Sequence, residues 1–468
     1  MKPGDELILT LDDFAFEGKS VARVNGLVIF VTGAVPGDVA RVRLTKTKKN
    51  FHEAEVLEIV SPSMLRTDPR CRYFGVCGGC KWQHVRYDAQ LTFKRQHVLD
   101  ALERIGGFRG IVVKGTLGCD DPYFYRNKME FSFGQRWLSR EEMAVQKESA
   151  TKAASFALGL HVPQRFDRIV DIDECWLQSE LSFRIVNRVR QFALEQGLSV
   201  YSTFAHEGFL RNLVIRQGRR TGDVMVNLVT FDSRPAIMTA LTRTLVTDFP
   251  EITTVCNNIT DRKSLVAIGD EERVYHGQGY ITERIGGRIY RISANSFFQT
   301  NTVQAERLYD AARDMARLTP TDVVFDLYSG TGTIALHIAD LVRSVVCVES
   351  VSAAVEDARR NAADNGVENC RFLLGDLREI LLTRKHQLEE SGKPDVMIID
   401  PPRVGMHADV VRSVMEISPQ RIVYVSCNPS TQARDLKMLA EQYRIGDVQP
   451  VDMFPHTYHI ENVVTLSR

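Results

Sequence analysis

The sequence has no run approaching the ~18 uncharged apolar residues that a membrane helix requires, so no membrane partner is expected. It also lacks an apolar core behind Met1-Lys2-Pro3-Gly4-Asp5-Glu6, so no signal peptide is read and a cytoplasmic chain is expected. In that compartment disulfides are not expected, although there are nine cysteines. Net charge is missing as well: Lys plus Arg and Asp plus Glu number 59 each, so the overall balance offers no attraction to a polyanion. Internal repeats and low-complexity segments are absent. With 44% hydrophobic and 25% charged residues, the composition excludes a disordered or fibrous chain.

What is present is a globular chain of 468 residues, long enough for two to four domains at roughly 100 to 200 residues each. The first sixty or so residues read as short strands separated by glycine turns: Leu7 to Leu11, Gly18 to Val24, Leu27 to Val31, Val39 to Leu44 and Ala54 to Val60. The alternation Val39-Ala40-Arg41-Val42-Arg43-Leu44 puts apolar residues on one face, as a small closed barrel requires. Arg41, Arg43, Lys46, Lys48 and Lys49 form a dense basic stretch, which is more often a solvated face than a phosphate contact. Phe16-Glu17-Gly18-Lys19-Ser20-Val21-Ala22-Arg23, with Gly33-Ala34-Val35-Pro36-Gly37-Asp38, resembles the TRAM domain, an RNA-binding barrel of OB type.

Ser61-Pro62-Ser63 reads as a linker. Beyond it the pattern is poorly periodic, with a cysteine-rich loop, a helix over Gln90 to Ile105, and a hairpin made by Asn212 to Ile215 and Val224 to Val229. From about residue 293 apolar strands alternate with helical stretches, which predicts an α/β fold with a doubly wound, mostly parallel sheet. The domains expected are therefore residues 1–62, 63–292 and 293–468.

The carboxyl ends of the predicted C-terminal strands carry the chemistry. Val323 to Leu327 runs into Tyr328-Ser329-Gly330-Thr331-Gly332-Thr333, where the glycines let a ligand approach the backbone. Val345 to Val348 ends in Glu349, placed to accept hydrogen bonds from ribose hydroxyls. Arg371 to Leu374 leads to Gly375-Asp376, where an acid can hold an adenine amino group, and Val396 to Ile399 leads to Asp400-Pro401-Pro402-Arg403. Each acid alone reads as a helix cap; their joint placement predicts a nucleotide cofactor. The glycine turn would also admit a nicotinamide, but Asp-Pro-Pro-Arg is a methyltransferase sequence.

Ile422 to Val425 ends in Ser426-Cys427-Asn428-Pro429, which puts a thiol at the same mouth. Carbon 5 of uracil is too weak a nucleophile to attack a methyl sulfonium. A thiolate added at carbon 6 makes carbon 5 reactive, and cysteine can both add and leave. A base must then take the carbon-5 proton. Glu461, between Ile460 and Val463, is the candidate, although a surface position fits the sequence equally. Cys71, Cys77 and Cys80 sit in a glycine-rich loop that could fold around a metal, with a fourth ligand from Cys175 or Cys119 and either zinc or an iron-sulfur cluster at the centre. The first spacing is not that of a radical enzyme.

Together, Phe297-Phe298-Gln299-Thr300-Asn301, Asp326-Leu327-Tyr328-Ser329-Gly330, Asp400-Pro401-Pro402-Arg403, Ser426-Cys427-Asn428-Pro429 and the Glu461 segment resemble the RNA uracil-5-methyltransferase family, over essentially the whole chain. The similarity is greatest to the iron-sulfur branch that modifies 23S ribosomal RNA. It implies S-adenosylmethionine as methyl donor and Gln299, Tyr328, Glu349, Asp376 and Asp400, with Thr333, lining the cofactor and uracil sites. It further implies Cys427 as nucleophile, Glu461 as base, and Cys71, Cys77, Cys80 and Cys175 as ligands of a 4Fe-4S cluster. Tyr328-Ser329 stands where Phe-Cys is common in relatives, which keeps the aromatic ring. One of Phe297 and Phe298 is expected in the core and the other against an extruded base. Residues 83–116 are expected to be able to pack with the catalytic domain, and the chain to act as a monomer. A tRNA substrate shares every catalytic residue, and an inactive iron-sulfur RNA-binding or redox-sensing protein is the reading from another class.

Overall fold

The computed structural model describes residues 1–15, 17–138, 156–165, 167–264, 267–384, 386–390 and 392–468, so Phe16 of the TRAM-like run lies outside the described residues. The N-terminal strands are β1 (Glu6–Thr10), β2 (Asp13–Phe14), β3 (Ser20–Val24), β4 (Leu27–Thr32), β5 (Val39–Thr47) and β6 (Phe51–Ser61). They form one sheet in the order β1-β5-β6-β4-β3-β2. The inward set of the period-2 alternation, including Leu9, Ile29, Val31, Ala40, Val42, Leu44 and Ala54, makes its core. The basic stretch of β5 faces outward and is met by acids: Arg41 bonds Glu6 at 3.1 Å and Glu58 at 2.9 Å, and Lys46 bonds Glu53 at 3.0 Å.

Helix α1 (Tyr87–Ala101) begins earlier than the sequence suggests and ends in a π-helical turn over Leu102–Gly106. Its Val98, Ala101 and Leu102 pack with strands of the C-terminal sheet. The central sheet is built from β7 (Lys128–Gln135), β8 (Phe156–His161), β9 (Ile169–Asp171), β10 (Leu210–Gln217), β11 (Val224–Thr230), β12 (Thr254–Ile259) and β13 (Glu271–His276). Its order is β13-β12-β11-β10-β7-β8-β9, and β10 and β11 are the expected hairpin. Helices α2 (Glu180–Glu195) and α3 (Pro235–Asp248) bury Val186, Val189, Leu241 and Leu245 against its Leu213, Ile215, Val226 and Leu228. Strands β14 (Tyr280–Ile285) and β15 (Arg288–Ser293) form a separate hairpin.

The C-terminal region is the α/β unit the alternation predicts. Helix α4 (Thr302–Ala316) leads into β16 (Val323–Leu327), α5 (Thr333–Ile338), β17 (Ser344–Glu349), α6 (Ser352–Asp364), β18 (Cys370–Leu374), α7 (Leu377–Thr383), β19 (Val396–Ile399), α8 (Ala408–Ile417), β20 (Arg421–Ser426), α9 (Pro429–Leu439), β21 (Arg444–Val451) and β22 (Glu461–Ser467). The sheet order is β18-β17-β16-β19-β20-β22-β21: five parallel strands, then β22 antiparallel between β20 and β21. Apolar clusters cover both faces of this doubly wound sheet. Among the described residues, no helix is long and apolar enough to cross a membrane.

Candidate active site

Five carboxyl ends of parallel strands open on one edge, where such sheets bind ligands. After β16 the chain turns through Tyr328 (φ +65°), Gly330 (φ +54°) and Gly332 (φ +77°) before α5 starts. A Cβ at 332 would stand 3.0 Å from the Phe372 ring and 3.2 Å from Ala358, so the close loop needs glycine there. The loop is held from the next strand. Glu349 accepts from the Gly330 N–H at 3.0 Å and from the Ser350 and Val351 N–H groups at 2.7 and 2.8 Å. Thr333 Oγ1 bonds the Tyr309 hydroxyl at 3.1 Å.

Asp376 is exposed after β18 and caps α7, accepting from the Glu379 N–H at 3.0 Å. Gln299 is half-buried in a loop fixed at both ends. Asn127 donates to its carbonyl at 2.9 Å, and Arg216 donates to the Ser296 carbonyl at 2.5 Å. Of the two aromatics before it, Phe298 is buried and Phe297 is 68% exposed.

Cys427 follows β20, and Asn428 caps α9 by accepting from the Ser430 N–H at 3.1 Å. The antiparallel ladder between β20 and β22 ends at Ser426 opposite Asn462. One step beyond that last pair stand Cys427 and Glu461, 34 positions apart in the chain and near enough for the Glu461 carboxyl to act on the thiol. Glu461 is 5% exposed, which removes the surface alternative left open by the sequence. Arg403 lies over the thiol: its carbonyl accepts from Asn428 Nδ2 and Thr431 Oγ1, both at 3.1 Å, and its side chain bonds Cys427.

Protons are held tightly here. Burial, then the Glu461 carboxyl, pushes the Cys427 thiol up to about 11, with Arg403 opposing. Burial pushes Asp400 up to about 7. Burial and Asp400 push Glu461 well above the carboxylate range, again against Arg403. Asp326, buried inside β16, is raised the same way by burial and then by Asp400. Sequence reasoning did not single out Asp326 as a site residue; the signal was an acid within an otherwise apolar strand.

Cys71, Cys77, Cys80 and Cys175 line one small cavity with Tyr73, Phe74, Leu160 and Ile172. Burial, and then each other's charge, pushes Cys80 up to about 12 and Cys175 higher still. N–H groups already point at the sulfurs: Gly79 to Cys77 at 3.4 Å, Gln83 to Cys80 at 3.3 Å and Leu177 to Cys175 at 3.5 Å. Cys119 stands apart, beside Asn301 and Asp452. Among the described residues no three or more His, Cys, Asp or Glu side chains converge as a ready metal site, so the four thiols share a cavity without being drawn to one centre. A second cavity, about 390 Å³, lies between β7, β8 and residues 197–204 and contains none of the strand-end residues.

Residues 257–468 match the model of the tRNA (Uracil-5-)-methyltransferase family, and residues 2–57 match the TRAM domain. An uncharacterized RNA methyltransferase of Chlorobaculum tepidum is 44% identical over 472 residues, covering 100% of this chain and 97% of its own. The chain belongs to this RNA uracil-5-methyltransferase family. A second family member, an uncharacterized RNA methyltransferase of Porphyromonas gingivalis, is 42% identical, over 98% of this chain and 99% of its own. The crystal structure of Pyrococcus abyssi tRNA (uracil-54, C5)-methyltransferase in complex with S-adenosyl-L-homocysteine aligns over 98% of this chain and 100% of that one, at 31% identity and a TM-score of 0.74. As a family member the protein is an S-adenosylmethionine-dependent RNA (uracil-5-)-methyltransferase with an RNA-binding TRAM domain.

Proposed function

We propose that the protein methylates carbon 5 of a uridine in 23S ribosomal RNA, with Cys427 as nucleophile and Glu461 as base. The observation that carries the chemistry is the facing position of Cys427 and buried Glu461 at the end of the β20–β22 ladder. The Cys427 thiolate, steadied by Arg403, forms a C–S bond at carbon 6 while the ring electrons move to the carbon-4 oxygen. Bound S-adenosylmethionine supplies a methyl group on a sulfonium, and its fit rests on the glycine turn without room for a Cβ at 332 and on Glu349 at the β17 end. Glu461 then removes the carbon-5 proton, and those electrons restore the 5,6 double bond and expel the thiolate. Gln299, Tyr328, Thr333, Asp376 and Asp400 line the cofactor and uracil sites with Glu349, and exposed Phe297 stacks on the extruded base.

Four cysteines share one apolar cavity and three of them already receive N–H···S bonds, so Cys71, Cys77, Cys80 and Cys175 would hold a 4Fe-4S cluster once drawn together, and its iron would offset the thiolate charge that burial disfavours. Anaerobic purification should yield broad absorbance near ~400 nm that is lost in Cys80→Ser; a colourless, iron-free native protein would sink this assignment. The ribosomal substrate rests on the resemblance carried by that cysteine set. A second reading, tRNA, is supported by the full-length similarity to the Pyrococcus abyssi enzyme. Mapping 5-methyluridine in 23S RNA and tRNA from a deletion strain decides between them. Incubation with 5-fluorouridine RNA and S-adenosylmethionine should give a covalent complex through Cys427, absent in Cys427→Ala.

A further inference from the structure

Glu461 is reached through an irregular segment, Asp452 to Ile460, that leaves β21 and must deliver the carboxyl to its place opposite Cys427. The middle of that segment is unusual. His456 has φ +64°, a left-handed conformation uncommon outside glycine, and is 3% exposed. Its carbonyl accepts from two successive backbone donors, Lys81 N–H at 2.8 Å and Trp82 N–H at 2.9 Å. Its own N–H donates to Gln90 Oε1 at 2.9 Å, and its ring lies 4.4 Å from that of Tyr123.

The grip comes from rigid neighbours. Lys81 and Trp82 follow Cys80 directly, so the cysteine loop is tied to the segment that carries Glu461. Trp82 is fully buried against Phe14 of the barrel, and its indole N–H donates to the Gly18 carbonyl at 3.2 Å. Gln90 of α1 closes the frame by donating to the Trp82 and Val85 carbonyls at 3.0 and 2.8 Å. Burial, and then Lys94, pushes the imidazole down to about 3, so the ring is neutral, and its Nδ1 accepts from Gln90 Nε2 at 3.3 Å, which adds a side-chain tie to the backbone ones.

We propose that His456 is a positioning residue for proton abstraction: its left-handed backbone, clamped by the N–H groups of Lys81 and Trp82 and by Gln90, sets where Glu461 stands relative to Cys427. The inference rests on Glu461 being the base. It assigns a step-specific role, because removal of the carbon-5 proton needs the Glu461 carboxyl in place, whereas attack of Cys427 meets that carboxyl only as a neighbour that disfavours the thiolate, so displacing it should not slow attack.

The test compares two RNAs with the full-length protein. A 5-fluorouridine RNA with S-adenosylmethionine reports attack and methyl transfer, since no proton can then be removed. A uridine RNA reports the complete cycle. His456→Val, whose β-branched side chain resists a positive φ, should trap 5-fluorouridine RNA at close to the native rate. On uridine RNA it should build up a methylated covalent complex and lose about 10²-fold in turnover, as loss of a general base does. His456→Gly, which keeps the backbone conformation, should recover most of that turnover. Should His456→Val not fold, Gln90→Ala, which removes the acceptor for the His456 N–H, is expected to show the same split. The inference is overturned if both RNAs slow by the same factor, if neither slows, or if glycine fails to rescue. Glu461→Gln run alongside separates the two layers. If it builds up no complex on uridine RNA, the reading of Glu461 as base fails; if it does and the His456 and Gln90 variants do not, only the positioning role fails.

Discussion

Alkylation of Cys427 should keep accelerating far above the pH at which an ordinary thiol saturates. Moving a thiol from 9.0 to about 11 leaves far less of it as thiolate at any pH below that range. The sign is set by burial and Glu461, both of which favour the neutral thiol, with Arg403 as the opposing cation. At about pH 8 roughly one molecule in a thousand then carries the reactive thiolate, against roughly one in ten for a thiol at 9.0. The assay is iodoacetamide labelling of the ligand-free protein, with the Cys427 peptide followed by mass spectrometry between pH 7 and 11. The rate should rise about tenfold per pH unit with no plateau below about pH 10. Arg403→Gln should label more slowly at every pH in that range, because the remaining neighbours all oppose the thiolate. A plateau near pH 9, or faster labelling of Arg403→Gln, would refute the reasoning.

Further outcomes follow from the same structure. Because burial, and then Asp400, raises Glu461 well above the carboxylate range, its base form grows as pH rises past that range, so single-turnover release of methylated RNA should speed up with pH, whereas an ordinary carboxylate base would give a flat profile there. Lys94 and Asp452 form a fully buried ion pair at 2.5 Å, with Asp452 also accepting from the Tyr87 hydroxyl at 2.9 Å. Lys94→Met should therefore cost about 3–5 kcal/mol in urea unfolding, and Lys94→Met with Asp452→Leu markedly less. Gly332→Ala combines a left-handed backbone with a Cβ 3.0 Å from Phe372, and equilibrium dialysis should show weaker S-adenosylmethionine binding with little change in RNA binding. Phe297→Ala, at an exposed site, should leave the melting temperature unchanged and slow trapping of 5-fluorouridine RNA; an unchanged trapping rate would argue against stacking.

The strands of the C-terminal sheet and the loops after them were legible because both signals are local. An apolar run followed by glycine or an acid needs only its neighbours in sequence to form a strand and a turn. The barrel's alternation was readable for the same reason. The basic run at 41–49 was readable as an outward face, but its acidic partners were not, because Glu6, Glu53 and Glu58 come from other strands. The four cysteines came together as a set through family resemblance rather than spacing, since Cys175 lies far along the chain from Cys80. Asp376 was assigned from its strand-end position, and the structure adds that its carboxylate is already occupied in capping α7.

Cys427 and Glu461 show where the division falls. The sequence by itself put a thiol at the end of an apolar strand and a carboxyl between apolar residues, since both placements depend on short-range pattern. Only the tertiary structure decided that they face each other. That depends on β22 entering the sheet antiparallel between β20 and β21, a pairing between segments distant in the chain. The same enclosure moves their proton affinities, because desolvation exists only once the chain has closed around them.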